Sequence, residues 1–262
     1  MIPIITFIFF LLGLIIGSFL NVVILRLNTK KSFGGRSACM ACKNTLAWFE
    51  LIPLFSYVGL SGRCRNCKTK ISIQYPLVEL TVGIIFAALF LKFQDIFFLS
   101  AYAFAAMYAY YTLFFSLLLV AAVYDLKYKI IPDSLSITLG IISFVGLFLF
   151  NSSSILLPYW HMPSLLQFLA GPIIAAPFAL LWLVSRGRWM GLGDAKLATS
   201  LGWVAGLYTA ISGVVIAFWA GAIVGVFLLM FSGKYKMKSE IPFAPYLAFG
   251  VFLAFLLELH IF

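Results

Sequence analysis

The sequence has little charge, and acid is scarcest. Only 10% of its 262 residues are charged, and eight Asp and Glu stand against eighteen Lys and Arg. Hydrophobic residues make up 64% of the chain, a share that no soluble class accommodates. No basic residue precedes the first apolar run and no small-residue cleavage site ends it, so that run does not read as a signal peptide. No Gly-rich fingerprint joins a strand to a helix, so a Rossmann-type nucleotide site is not expected. The formal charge of +10 calls for no nucleic acid, because basic residues in a membrane protein collect in cytoplasmic loops.

What the chain does have is apolar runs of about 20 residues, each long enough to cross a bilayer. The expected fold is an all-α polytopic membrane protein of about eight transmembrane helices. The first runs from Pro3 to Leu25, and the others cover 76–93, 98–124, 133–150, 164–185, 194–210, 212–231 and 243–261. The division between the sixth and seventh rests on Ser212-Gly213. Eight spans place 26–75, 125–132, 186–193 and 232–242 in the cytoplasm and both termini outside. The basic residues agree with this parity. Arg26, Lys30, Lys31, Arg36, Lys43, Arg63, Arg65, Lys68 and Lys70 lie in the first inner segment, Lys127 and Lys129 in the next, Arg186 and Arg188 in the third, and Lys234, Lys236 and Lys238 in the last. Lys196 falls in the first turn of the sixth span, and only Lys92 lies on the outer side. The domain reading is therefore a transmembrane helix at 1–25, a cytoplasmic cysteine loop at 26–75, and a seven-helix core at 76–262.

With so few acids, an acid at the edge of a span is a functional candidate. Asp194 ends Gly191-Leu192-Gly193-Asp194, where the two glycines permit a tight turn or close approach to a peptide. Asp125 ends the third span in Val123-Tyr124-Asp125. By parity, both lie at the cytoplasmic face. Two carboxylates that share a proton can hydrolyse an amide, the ionised one activating water and the other donating a proton. The bland reading of Asp194 is a helix cap. Asp133, after Pro132, is a rival partner and also sits where an N-cap would. Glu240 is either a solvated loop acid or a substrate contact.

All four cysteines lie in the first inner segment, as Cys39-Met-Ala-Cys42 and Cys64-Arg-Asn-Cys67, with 21 residues between the pairs. Two such knuckles read as a tetrahedral Zn2+ site. A reducing cytosol supports this over disulfides, and the neighbouring Lys43, Arg63, Arg65 and Lys68 favour thiolates. Free thiols or a redox pair are the alternatives. Between the knuckles, 46–57 is aromatic and apolar, fit to pack on the bilayer surface or the helices, or to form a binding site. Glu79 stands in the first turn of the second span, where an acid suits the helix dipole but needs a partner if buried. Asn21, inside the first span, either bonds across helices or lines a substrate path.

In order along the chain, these pieces resemble the bacterial prepilin peptidase family, the GxGD aspartyl proteases that process type IV pilins and pseudopilins. The resemblance rests on Gly17-Ser-Phe-Leu-Asn-Val-Val-Ile-Leu-Arg-Leu27, on knuckles flanking Glu50-Leu-Ile-Pro-Leu-Phe-Ser56, and on Ser72-Ile-Gln-Tyr-Pro-Leu-Val-Glu79, with Gln74 where Arg is usual. It continues with Asp125 in Tyr-Asp-Leu…Ile-Pro-Asp, Asp194 in Gly-Leu-Gly-Asp-Ala-Lys-Leu, and Ile241-Pro-Phe-Ala-Pro-Tyr-Leu-Ala-Phe-Gly250, with Ala244 where Gly is common. It implies a multi-pass enzyme of the bacterial cytoplasmic membrane with Asp125 and Asp194 as its catalytic pair. Such an enzyme removes the leader of a prepilin after a Gly. It then methylates the new N-terminus from S-adenosylmethionine, with the cysteine loop as the transferase region and Glu50 and Glu79 as candidate donor or amine contacts. The competing function is a transporter using Asp125 and Asp194 as an ion or proton relay. Such acids usually sit near the midplane, and transport gives no reason for the knuckles.

Overall fold

The structure is a computed structural model that describes residues 1–29, 32, 34–150, 160–231 and 241–260. Among the described residues it is all-α: helices α1 (Ile2–Arg26), α2 (Phe55–Gly59), α3 (Gln74–Leu99), α4 (Ala101–Tyr128), α5 (Asp133–Leu149), α6 (Leu165–Ser185), α7 (Leu192–Ala205), α8 (Leu207–Phe231) and α9 (Ala244–Leu256), with one 3-10 turn, Trp48–Leu51. The extended pairing consists of two isolated bridges in the cysteine loop, Ala38 with Thr45 and Arg63 with Lys70. Five helices, α1, α3, α4, α6 and α8, are long and apolar enough to cross a bilayer, and α5 and α9 are shorter apolar helices. This is a multi-pass membrane protein.

Local chemistry sets the helix ends. Pro3 occupies the first turn of α1, where its missing N–H costs nothing, and Arg26 closes the last turn against the helix dipole. Ser100 caps α4 through the Ala103 N–H, and Ser164 and Gln167 form a reciprocal capping box on α6.

The eight expected spans correspond to α1 and α3 to α9, with corrected ends: α3 runs to Leu99 and not 93, and α9 stops at Leu256 and not 261. α4 continues to Tyr128, past the expected 124, so Asp125, expected at the end of this span, lies in its last turn. The break between the sixth and seventh spans falls at Gly206, not at Ser212-Gly213. Gly206 has φ +79°, a conformation that side chains resist. Ser212 returns its hydroxyl to the Tyr208 carbonyl at 3.0 Å. Gly213 serves packing, since a Cβ there would lie 2.6 Å from the Val251 Cα of α9. Lys30, Lys31, Lys234, Lys236, Lys238 and Glu240 lie outside the described residues.

The chain forms two compact units, Met1–Lys92 and Phe93–Phe262. In the first, α1 and α3 meet backbone to backbone. A Cβ on Gly13 would come within 2.7 Å of the Val82 carbonyl oxygen, and one on Gly17 within 2.7 Å of the Glu79 Cα. Asn21 bonds across the pair, its Nδ2 donating to the Tyr75 carbonyl at 3.1 Å. In the second unit the same device joins α6 to α7, where a Cβ on Gly202 would sit 2.6 Å from the Ala170 carbonyl oxygen. Lipid is as apolar as leucine, so close backbone approach replaces hydrophobic drive between such helices. An aromatic cluster of Phe93, Tyr111, Phe115 and Phe255 binds α3, α4 and α9 within this unit.

Candidate active site

Asp125 projects from the last turn of α4. That helix stops at Lys129, whose left-handed backbone (φ 56°) lets its N–H close on the Asp125 carbonyl at 2.7 Å. Asp194 is the third residue of α7, after Gly191 in extended conformation at the cap position. Both carboxylates are buried, with 6% and 8% of their residue surface exposed. They are near enough for the charge of Asp125 to act on Asp194. A third helix end joins them: the Ala244 N–H, at the start of α9, donates to Asp125 Oδ2 at 3.3 Å. Asp194 Oδ1 is buried with no hydrogen-bond partner among the described residues, and no side chain caps α7. The Gly191 N–H favours the Asp194 carboxylate, yet one of its oxygens stays buried without a partner, and a buried unsatisfied oxygen is expensive structure.

Asp133 is not the N-cap of α5. Pro132 holds that position and makes no side-chain cap, while Asp133 opens the helix and its Oδ1 accepts from Lys196 Nζ at 2.5 Å. Side-chain exposures of 39% for Lys196 and 72% for Asp133 make this a surface pair. The same approach of α5 to α7 brings Ile131 against Gly193, where a Cβ would lie 3.0 Å from the Ile131 Cβ. The sequence reading missed Ala244 and the Lys196–Asp133 pair. The available signals were Pro245 in a first helical turn and a lone Lys beside the Gly-Leu-Gly-Asp motif.

Cys39, Cys42, Cys64 and Cys67 do come together. Their four sulfurs all lie within 4.8 Å of one another, and Cys39 and Cys67 are 3.7 Å apart. A tetrahedron with metal–sulfur bonds of about 2.3 Å has edges of about 3.8 Å, so the donor set fits a tetrahedral metal ion. The Lys43 and Lys68 N–H groups turn back onto the Cys39 and Cys64 carbonyls, with φ of 57° and 58° at the two lysines, so each knuckle is a local turn. The thiols are tuned unequally. The Thr69 hydroxyl and N–H hold Cys67 down to about 6. The Cys42 and Ala41 N–H groups lower Cys39. Although the Asn44 N–H favours its thiolate, partial burial and the other three sulfurs push Cys42 up to about 11. Thiolates crowded at one point resist joint ionisation, and a cation there relieves it.

Glu50 Oε2 accepts the Ala47 N–H at 2.7 Å, capping the 3-10 turn. Glu79 is buried in the second turn of α3, which begins at Gln74, two residues before the expected start. Its partner is the Leu54 N–H, donated to Oε2 at 2.9 Å.

Residues 11–93 match the family described as Bacterial Peptidase A24 N-terminal domain, and residues 112–226 match the Type IV leader peptidase family. A protein of Bacillus subtilis named prepilin leader peptidase/N-methyltransferase is 32% identical over 95% of this chain and 93% of its own length. The chain belongs to the type IV leader peptidase family. Other members named in the same way come from Myxococcus xanthus, 33% identical over 91% of this chain and 67% of that protein, and Burkholderia pseudomallei, 33% identical over 91% and 81%. No solved structure matches the chain. A leader peptidase family spanning both units leaves the ion-relay reading unfavoured.

Proposed function

We propose that this chain removes the leader peptide of type IV prepilins or pseudopilins and N-methylates the new N-terminal residue. The observation that carries the reading is the pairing of buried Asp125 and Asp194 at converging helix ends, in a chain whose relatives bear both activities in their names. In the first step one carboxylate accepts a proton from water as its oxygen attacks the scissile carbonyl. The other donates a proton, and the tetrahedral intermediate collapses with the amine as leaving group. Dry surroundings strengthen both interactions. The Ala244 N–H orients Asp125, so that its second oxygen faces the reaction.

The charge distribution supports an active site at the cytoplasmic face of the bacterial inner membrane, with both termini outside. There a prepilin whose apolar helix lies in the bilayer would present its cleavage site at the depth of the pair. Cys39, Cys42, Cys64 and Cys67 would hold Zn2+, which ties the 26–75 segment into a folded transferase region. S-adenosylmethionine supplies the methyl group when bound. Glu79 is the better candidate for a transferase contact, because the Glu50 carboxylate already caps its own turn.

The experiment is leader cleavage by purified chain. Asp125→Asn and Asp194→Asn are each expected to lower cleavage at least about 1000-fold, as for removal of one member of a catalytic unit, with an unchanged melting profile. Normal cleavage by either variant overturns the assignment.

A further inference from the structure

Inside the first unit, α1 and the cysteine loop enclose a groove of about 620 Å³. That volume lies within the range of small-molecule and side-chain sites. One wall is a single stripe of α1 that includes Leu14, Ser18 and Val22, and the other is formed by Trp48, Ile52 and Pro53. The lining is mostly apolar, with Ser18 and Ser37 in it, and further polar acceptors lie close to Ser18. Ser18 stands beside the carboxylate of Glu79, which accepts the Leu54 N–H at 2.9 Å and is 7% exposed. One turn along the same face of α1, Asn21 Oδ1 is buried without a partner while its Nδ2 is spent on the Tyr75 carbonyl.

The backbone between them is strained. Leu54 has φ 59° and ψ −50°, and the Phe55 N–H reaches back to the Pro53 carbonyl at 2.6 Å. This is a γ-turn of the rare sign, on a branched residue. Such strain persists where the surroundings hold it, and it gathers at ligand sites. Here Glu79 holds it, through the Leu54 N–H. A carboxylate and an amide oxygen behind an apolar wall ask for a ligand rich in donors, with one positive charge and an apolar body.

Building on the transferase reading above, we propose that this groove receives the newly exposed N-terminal residue of the cleaved pilin, its apolar side chain against α1 and its amine at Ser18 and Glu79. The carboxylate complements the ammonium ion, which no apolar lipid chain supplies. In the transfer, the neutral amine nitrogen attacks the methyl carbon of a sulfonium donor. The C–N bond forms as the C–S bond breaks, and the thioether departs with the electron pair. Glu79 takes up the proton that the bound ammonium ion loses before the attack, and the product leaves as the methylated ammonium ion.

The test uses the full chain in nanodiscs, with a prepilin and S-adenosylmethionine, and reads leader loss and N-methylation separately by mass spectrometry. Glu79→Gln is expected to slow methylation about 100-fold, the scale of a lost proton acceptor, with leader cleavage within about threefold of wild type. Glu79→Asp should restore part of the rate. Because Glu79→Gln also weakens the bond that holds the Leu54 turn, Ile15→Trp is the second variant. It fills the groove from α1, leaves that turn alone, and should produce the same split. A peptide with the mature N-terminus should compete for methylation with a free amine and fail when acetylated. Methylation at the wild-type rate in both Ile15→Trp and Glu79→Gln overturns the proposal and makes the groove a lipid seat. Equal competition by the acetylated peptide also overturns it. Wild-type chain that cleaves but never methylates defeats the transferase reading itself, which is a distinct result.

Discussion

At the scale of single residues, the acids divide by what their oxygens do. Asp133 and Glu50 spend theirs on Lys196 and on the Ala47 N–H. Asp194 keeps a buried oxygen unspent, and Asp125 has, among the described residues, a long bond from Ala244. Substitutions should sort the same way. An exposed ion pair contributes about 0–1 kcal/mol, so Lys196→Ala and Asp133→Ala should each move the unfolding midpoint little. Because the pair fastens α5 to the second turn of α7, they should lower kcat for cleavage by about 3–10-fold, since misplacement of reacting groups costs rate more than affinity. Steady-state kinetics with a prepilin checks this, and Lys196→Arg should recover most of the loss. A KM effect alone would make Lys196 a substrate contact. Asp125 and Asp194, the proposed catalytic pair, stood out in the sequence because acids are so rare here that position alone singled them out. The partner of Asp133 did not, because it is 63 residues away and depends on how two helices dock.

At the scale of elements, the cysteine loop shows what local sequence can and cannot give. The knuckles were readable because C-x-x-C closes on itself, with backbone N–H groups turning back within four residues. The convergence of the two knuckles follows from one demand, four donors for one ion. The groove over α1 was hidden, because its floor needs the left-handed Leu54 and nothing in Pro-Leu-Phe announces a γ-turn. The helix break at Gly206 was hidden for a related reason. Glycines in these helices serve close packing more often than turning, as Gly213 and Gly202 do, so a glycine in the sequence does not mark a break. Elemental analysis of freshly purified chain should find one Zn2+ per chain. Cys64→Ser should release it and raise protease sensitivity within 34–72, because structural zinc supplies folding energy. Cleavage should fall less than in Asp194→Asn. Metal-free wild-type protein with a protected loop would reject the site.

At the scale of the whole molecule, the open question is the number of crossings, and it turns on one residue. α9 has 13 residues and α7 has 14, about 20 Å each at 1.5 Å per residue, against a hydrocarbon core of about 30 Å. α7 is joined to α8 through Gly206 alone. If Gly206 is a kink within one crossing, the chain crosses seven times and its termini face opposite sides. If it is a reversal, the chain crosses eight times. The charges decide between these. Arg186 and Arg188 precede α7, and Lys234, Lys236 and Lys238 follow α8. Both basic clusters are cytoplasmic only if the chain turns back at Gly206. The expected outcome is therefore that a membrane-impermeant maleimide labels Met162→Cys and Leu257→Cys in intact cells. Arg188→Cys should be labelled only in inverted vesicles. Labelling of Leu257→Cys only from the inside would reduce α7 and α8 to one bent crossing. It would also put Lys234, Lys236 and Lys238 outside, against the parity that the other basic clusters follow.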